Sequence, residues 1–148
     1  MTTVLASGVF DLLHYGHIRF LEEAKKKGGK DSRLVVIVAR DETVHRLKGS
    51  DPVIPEDQRR AIVDSLEMVD EALLGFEDLD LTRVIQQLKP DLIAVGHDQE
   101  YICDQLIKIK KALEMDFDII RIERFGKEDL NSSSKIKRRI VEGARTRG

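Results

Sequence analysis

Short apolar runs separated by amphipathic stretches constrain the fold of this chain more than any other feature. TVLAS (3–7), RLVVIVA (33–39), EALLG (71–75), DLIAVG (91–96) and DIIRI (118–122) are brief, rich in Val, Ile or Leu, and followed by polar residues. Such runs predict strands buried on both faces. Between them the period changes. In HIRFLEEAKKK the apolar Ile18, Leu21 and Ala24 recur at helical spacing, with Phe20 widening the stripe. PEDQRRAIVDSLEMV places Pro55 in a first turn, with Glu56 and Asp57 at the positive helix end. LTRVIQQLK reads as a short helix stopped by Pro90, which disfavours helical geometry at Lys89. Strands alternating with helices predict a doubly wound α/β fold, with a mainly parallel five-stranded sheet flanked by helices. Right-handed crossovers then put the strand-to-helix loops on one edge, where function is expected.

Composition narrows the partners. At 148 residues the chain is expected to form one domain over 1–148, with a basic C-terminal helix or tail from about 132. No stretch approaches the roughly 20 apolar residues of a membrane span, and TTVLASGVF after Met1 has no basic lead-in, so no signal peptide is expected. The single Cys103 cannot form an internal disulfide and lacks the neighbours of a zinc site; a reducing cytoplasm is the expected compartment. Net charge is −2, but residues 135–147 carry +5 through Lys135, Lys137, Arg138, Arg139, Arg145 and Arg147 against Glu142. A solvated helix face explains that run better than a nucleic-acid arm, and neither nucleic acid nor membrane is expected as a partner.

SGVFDLLHYGH (7–17) joins the first strand to the first helix, where α/β sheets commonly receive a phosphate. It is neither a G-x-G-x-x-G dinucleotide loop nor a P-loop. Gly8 permits a close turn at the strand end, and Gly16 lets backbone approach a ligand between two imidazoles. A helix starting near Tyr15 would aim its free N–H groups at the same point. His14 and His17 could serve as metal ligands, but a third ligand at sensible spacing is missing. Read as isolated residues they would be structural. Two glycines, a strand end and a helix start beside them favour a binding role.

Gly8-Val9-Phe10-Asp11 followed by His14-Tyr15-Gly16-His17 resembles the signature of the cytidylyltransferase-like nucleotidyltransferases, whose fold is Rossmann-like. The resemblance implies that His14 and His17 bind the nucleotide triphosphate and stabilise charge as pyrophosphate leaves. It further implies backbone contacts to the nucleotide from Val9 and Phe10, and a loop-ordering role for Asp11. The residue types suit this chemistry. Attacking phosphate and α-phosphate are both negative, so catalysis is mostly positioning and charge stabilisation. No covalent nucleophile is needed, and the sequence shows no nucleophile elbow.

Other segments extend the resemblance from Val4 to about Ile140. Lys48, in VARDETVHRLKGSDP, is implied as a contact to the phosphate under attack, although a solvated loop lysine would look the same. Arg59 is implied at the acceptor phosphate; the adjacent Arg60 fits equally, and either could pair with Glu56 on the helix surface. Gly96 and Asp98 match positions that contact ribose and base, while Asp98 could also cap the next helix. His97 receives no role. In NSSSKIKRRI, Ser133 and Ser134 match a helix start that grips the β- and γ-phosphates.

The family divides by acceptor. VIVARDETVHRLKG, VIPEDQRRAIVDSLEMVDEALLG, LKPDLIAVGHDQ and SSSKI are most similar to the archaeal FAD synthases. That similarity implies transfer of AMP from ATP to FMN, giving FAD and pyrophosphate, with Mg²⁺ or a similar divalent cation. Phosphate oxygens and water would supply most ligands of that cation, and relatives suggest a homodimer. Residue chemistry alone does not name flavin. Phe125 could flank a base or isoalloxazine, but core packing is its ordinary use. Alternatives are a cytidylyltransferase acting on glycerol 3-phosphate or a related alcohol, a sugar-phosphate nucleotidyltransferase, and, from another class, a non-catalytic nucleotide sensor. Joint retention of His14, His17 and Lys48 argues against the sensor.

Overall fold

The computed structural model describes the backbone of residues 1–75, 81–123 and 133–147, and all their side chains except those of 133, 134 and 145–147. Strands β1 (Thr2–Gly8), β2 (Ser32–Val38), β3 (Glu71–Leu74), β4 (Leu92–Gly96) and β5 (Asp118–Ile122) form one parallel sheet in the order β3-β2-β1-β4-β5. All five strands coincide with the apolar runs. Helices α1 (Tyr15–Lys27), α2 (Asp41–Lys48), α3 (Glu56–Asp64), α4 (Leu81–Leu88), α5 (Glu100–Leu113) and α6 (Ser133–Arg147) complete the described elements.

Alternation along each strand divides the core. Val4, Ala6, Leu34, Val36 and Val38 face Leu21, Ala24 and Val63 of α1 and α3. Leu5, Val35, Ile37, Ile93 and Val95 face Val84, Ile85 and Leu106 of α4 and α5. A period of two on strands that bury both faces explains why their sequences read as unbroken apolar runs. The chain builds outward from β1 to β3, then crosses to β4 on the other side of β1. The direction of winding therefore reverses between β1 and β4, the place where sheets of this kind receive ligands beyond the strand C-termini.

Two helix boundaries differ from the sequence expectation. Pro55 lies just outside α3 as its N-cap rather than in its first turn, and α3 stops at Asp64. The apolar Leu66 and Met68 continue inward from that end to pack on the core without extending the helix. At the end of α4, Lys89 takes φ 45, leaving the right-handed region that Pro90 disfavours for it. No described helix is long and apolar enough to cross a membrane.

Candidate active site

The loop after β1 turns through residues other than its glycine. Gly8 is the last residue of β1, paired with Val38, and the left-handed backbone falls on Phe10 (φ 54) and Leu12 (φ 48). Glycine is required at position 8 by packing. A Cβ there would lie 2.9 Å from the Phe10 ring. Left-handed geometry costs a non-glycine residue about 1–2 kcal/mol, so something must hold it. Phe10 is buried in the core. Asp11, also buried, accepts the backbone N–H groups of Val53 (2.9 Å) and Ile54 (3.0 Å) and pairs with Lys137 of α6 at 3.0 Å. Burial by itself would raise the Asp11 pKa, but the two amides and the Lys137 ammonium outweigh it and hold the carboxyl below its ordinary value. The loop-ordering role expected of Asp11 thus has a structural basis, with Lys137 as an added partner.

His14 and His17 cap α1 reciprocally. His14, the N-cap, accepts the Gly16 N–H on Nδ1 at 3.0 Å, and its own N–H donates to Nδ1 of His17 at 3.2 Å. Two imidazoles here do what Ser and Glu do in an ordinary capping box. With both Nδ1 atoms accepting, the hydrogen-bond pattern assigns each neutral ring its proton on Nε2. The rings lie 3.9 Å apart between centroids, and Phe10 packs 5.4 Å from His17 in a tilted arrangement. Burial, then the neighbouring His14 and more weakly Lys48, lower the His17 pKa to about 3, against an opposing pull from Asp11 that exceeds the effect of Lys48. Burial also lowers His14. At neutral pH the site offers two uncharged Nε2–H donors at a helix N-terminus, a setting suited to phosphate oxygens.

Arg59 does a different job from the one expected at the acceptor phosphate. It is fully buried, and four of its N–H bonds are committed. Nε donates to Ile54 O at 2.8 Å, Nη1 to Val9 O at 2.7 Å and Ala39 O at 2.8 Å, and Nη2 to Asp41 at 2.6 Å. It therefore ties the signature loop, the end of β2, the start of α2 and the loop before α3 into one unit. Arg60 donates to Ala72 O at 3.3 Å. Neither pairs with Glu56, which instead pairs with Arg40 at 3.3 Å and accepts the Asp41 N–H at 3.0 Å. Lys48 is the exposed last residue of α2, ended by Gly49 at φ 76, and its charge is felt at His17.

At the winding reversal the sequence reading missed Gln99. Its Oε1 accepts the Gly96 N–H at 2.9 Å and its Nε2 donates to Ser7 O at 3.1 Å, so one amide bridges the ends of β4 and β1. Gln99 is also the N-cap position of α5, with no side-chain cap bond. Asp98 is therefore not the helix cap; its carboxylate is exposed beside Gly96 and contributes, after burial, to raising the Tyr101 pKa. Ser133 and Ser134 open α6, whose Lys137 reaches Asp11. Phe125 lies outside the described residues.

Beside Gly8 and Val9 opens a cleft of about 180 Å³ between α2, α4 and α5. Ile37, Leu47, Leu81, Val84 and Ile102 give it mainly apolar walls. Among the described residues no cluster of three His, Cys, Asp or Glu could hold a metal, and the Nδ1 atoms of His14 and His17 already accept backbone N–H groups. These side chains do not form a cage for a divalent cation.

Residues 5–139 match the family model described as Cytidylyltransferase-like. The chain belongs to that family. Among its curated relatives, the FAD synthase of Methanopyrus kandleri is 44% identical over 94% of this chain and 91% of its own length. The FAD synthase of Archaeoglobus fulgidus is 47% identical over 93% of this chain and 96% of its own. A solved structure titled as the lipopolysaccharide core biosynthesis protein from Thermoplasma volcanium superposes with a TM-score of 0.76 at 42% identity, covering 85% of this chain and 99% of that one. As a cytidylyltransferase-like protein with the family's five-stranded parallel sheet, the chain is a nucleotidyltransferase.

Proposed function

We propose that this nucleotidyltransferase transfers AMP from ATP to the phosphate of FMN, yielding FAD and pyrophosphate. The observation that carries the reading is the join between the histidine-capped helix start and a mainly apolar cleft at Gly8 and Val9. One end suits polyphosphate and the other suits a large apolar ring. The FAD synthase relatives, matched over nearly their whole length, point the same way.

In this reading an FMN phosphate oxygen attacks the α-phosphorus of ATP. A new P–O bond forms, the bond to the β-phosphate bridge breaks, and pyrophosphate leaves with its electron pair. The Nε2–H groups of His14 and His17 donate to phosphate oxygens as charge shifts toward the leaving group, and Lys48 neutralises the approaching phosphates. Val9, Phe10, Tyr15 and Gly16 line the nucleotide, Gly96 and Asp98 hold its ribose and base, and Ser133 and Ser134 hold the β- and γ-phosphates. A divalent cation carried with the nucleotide would neutralise part of the charge on its phosphates.

A sugar-phosphate acceptor is the second reading, favoured by the name of the Thermoplasma volcanium protein. The cleft opposes it, because mainly apolar walls would leave most of a polyol's hydroxyls without partners. The proposal also comprises a reducing, cytoplasmic setting, which the unpaired Cys103 fits, and a homodimer, which sedimentation checks. The acceptor is tested by pyrophosphate release from ATP with FMN, glycerol 3-phosphate or a hexose phosphate. FMN alone is expected to support release; equal release with a hexose phosphate overturns the acceptor assignment.

A further inference from the structure

One buried polar atom beside the cleft has no hydrogen-bond partner. It is Oγ1 of Thr43, which lines the cleft from the first turn of α2; among the described residues it is the one buried side-chain polar atom in that state. A threonine this early in a helix could ordinarily bond the carbonyl four residues back. Here that carbonyl, Ala39 O, accepts from Arg59. Of the other polar side chains at the cleft, Gln99 is committed to Gly96 and Ser7 O, and Arg40 to Gly75 O and Glu56, while Tyr101 and Gln105 are exposed and Ser7 half-buried, so that water can serve them. An orphaned hydroxyl against apolar walls is costly in the free protein, and its cost is relieved by a ligand that brings a polar edge into an otherwise apolar body. Rotation about χ1 exchanges the hydroxyl with the methyl, so little movement is needed to meet such an edge.

We propose that Thr43 is a specificity residue for the acceptor, its hydroxyl pairing with an edge nitrogen or oxygen of a planar heteroaromatic ring seated in the cleft. The inference rests on the FMN reading and deepens it. Phosphate recognition stays with the signature loop, and Thr43 distinguishes a ring bearing polar edge atoms from a merely apolar one.

The test compares Thr43→Val, which keeps shape and removes the hydroxyl, with Thr43→Ser, which keeps the hydroxyl. Thr43→Val is expected to raise the FMN KM about tenfold, the worth of one net hydrogen bond in a dry site. The ATP KM and kcat should barely move, and Tm should stay level or rise because the orphan is gone. Thr43→Ser should recover most of the FMN KM. An unchanged FMN KM in Thr43→Val overturns the proposal, as does a fall in Tm with both KM values raised together. Wild-type protein that quenches FMN fluorescence on binding but makes no FAD would refute the reaction, and the same Thr43→Val titration would still decide the residue. Wild-type protein that neither binds nor converts FMN overturns both.

Discussion

The backbone N–H of His14 donates to Nδ1 of His17, while Nδ1 of His14 takes the N–H of Gly16. Each ring is thereby fixed in orientation and tautomer by the helix start, leaving the two Nε2–H groups as donors. The histidines thus build the helix start as well as line the proposed phosphate site. Phe10 packs against His17, and Gly8 leaves room for Phe10, so the signature residues form one mechanical unit.

His17→Ala removes the donor proposed at the leaving group and half of the reciprocal cap. Turnover is expected to fall about 10²–10³-fold, as for loss of one preorganised donor, with a stability cost of about 1 kcal/mol from the cap. Nucleotide binding should stay measurable by calorimetry. Undiminished turnover refutes the role assigned to His17.

Acid should destabilise the fold in two stages. Below about pH 6.5 the unfolded chain protonates His17, whereas the folded chain resists until about pH 3, so stability falls as pH drops through that window. Asp11 and Asp70 have lowered folded pKa values; their stabilisation is present above about 3.8 and is lost as pH falls further. Urea midpoints at pH 7.5, 5 and 3.5 should decline in turn. A His17→Gln variant should flatten the first stage, and an unchanged slope there would assign it to other groups.

Arg59→Met should act on stability before it acts on any substrate. Removing the guanidinium strands the Val9, Ala39 and Ile54 carbonyls, a loss of at least about 1–3 kcal/mol for unsatisfied acceptors, with a smaller contribution from the partly exposed Asp41 carboxylate. Urea denaturation measures it. A stable variant with only the FMN KM raised would restore Arg59 to the acceptor phosphate.

Lys137→Ala should loosen α6 from the signature loop. The pair with buried Asp11 is partly exposed on the lysine side, so the stability change is small. The ATP KM is expected to rise about threefold to tenfold, because α6 begins with the serines proposed to hold the β- and γ-phosphates. Raised salt should weaken wild-type ATP binding more than that of the variant.

The five strands were legible because runs such as RLVVIVA are too short and too apolar for anything but buried strands in this alternation. The helix start at Tyr15 was legible from the loop's composition. Arg59 was not, since a buried guanidinium and a surface one read alike in QRRA, and its partners are mostly backbone carbonyls, two of them 20 and 50 residues away. Gln99 was hidden for the same reason: its bridge to Ser7 spans 92 residues. Lys137 reads as part of a solvated basic face, because nothing near it in the sequence marks the buried Asp11 carboxylate with which it pairs. The left-handed Phe10 and Leu12 were masked by a nearby Gly8 that draws any turn prediction to itself.

The most direct test mixes purified protein with FMN, Mg²⁺ and either ATP or CTP and separates the flavins by chromatography. The account predicts an FAD peak with ATP and none of comparable size with CTP. A cytidine-containing flavin with CTP alone would contradict the nucleotide assignment, and no new flavin with either nucleotide would contradict the acceptor.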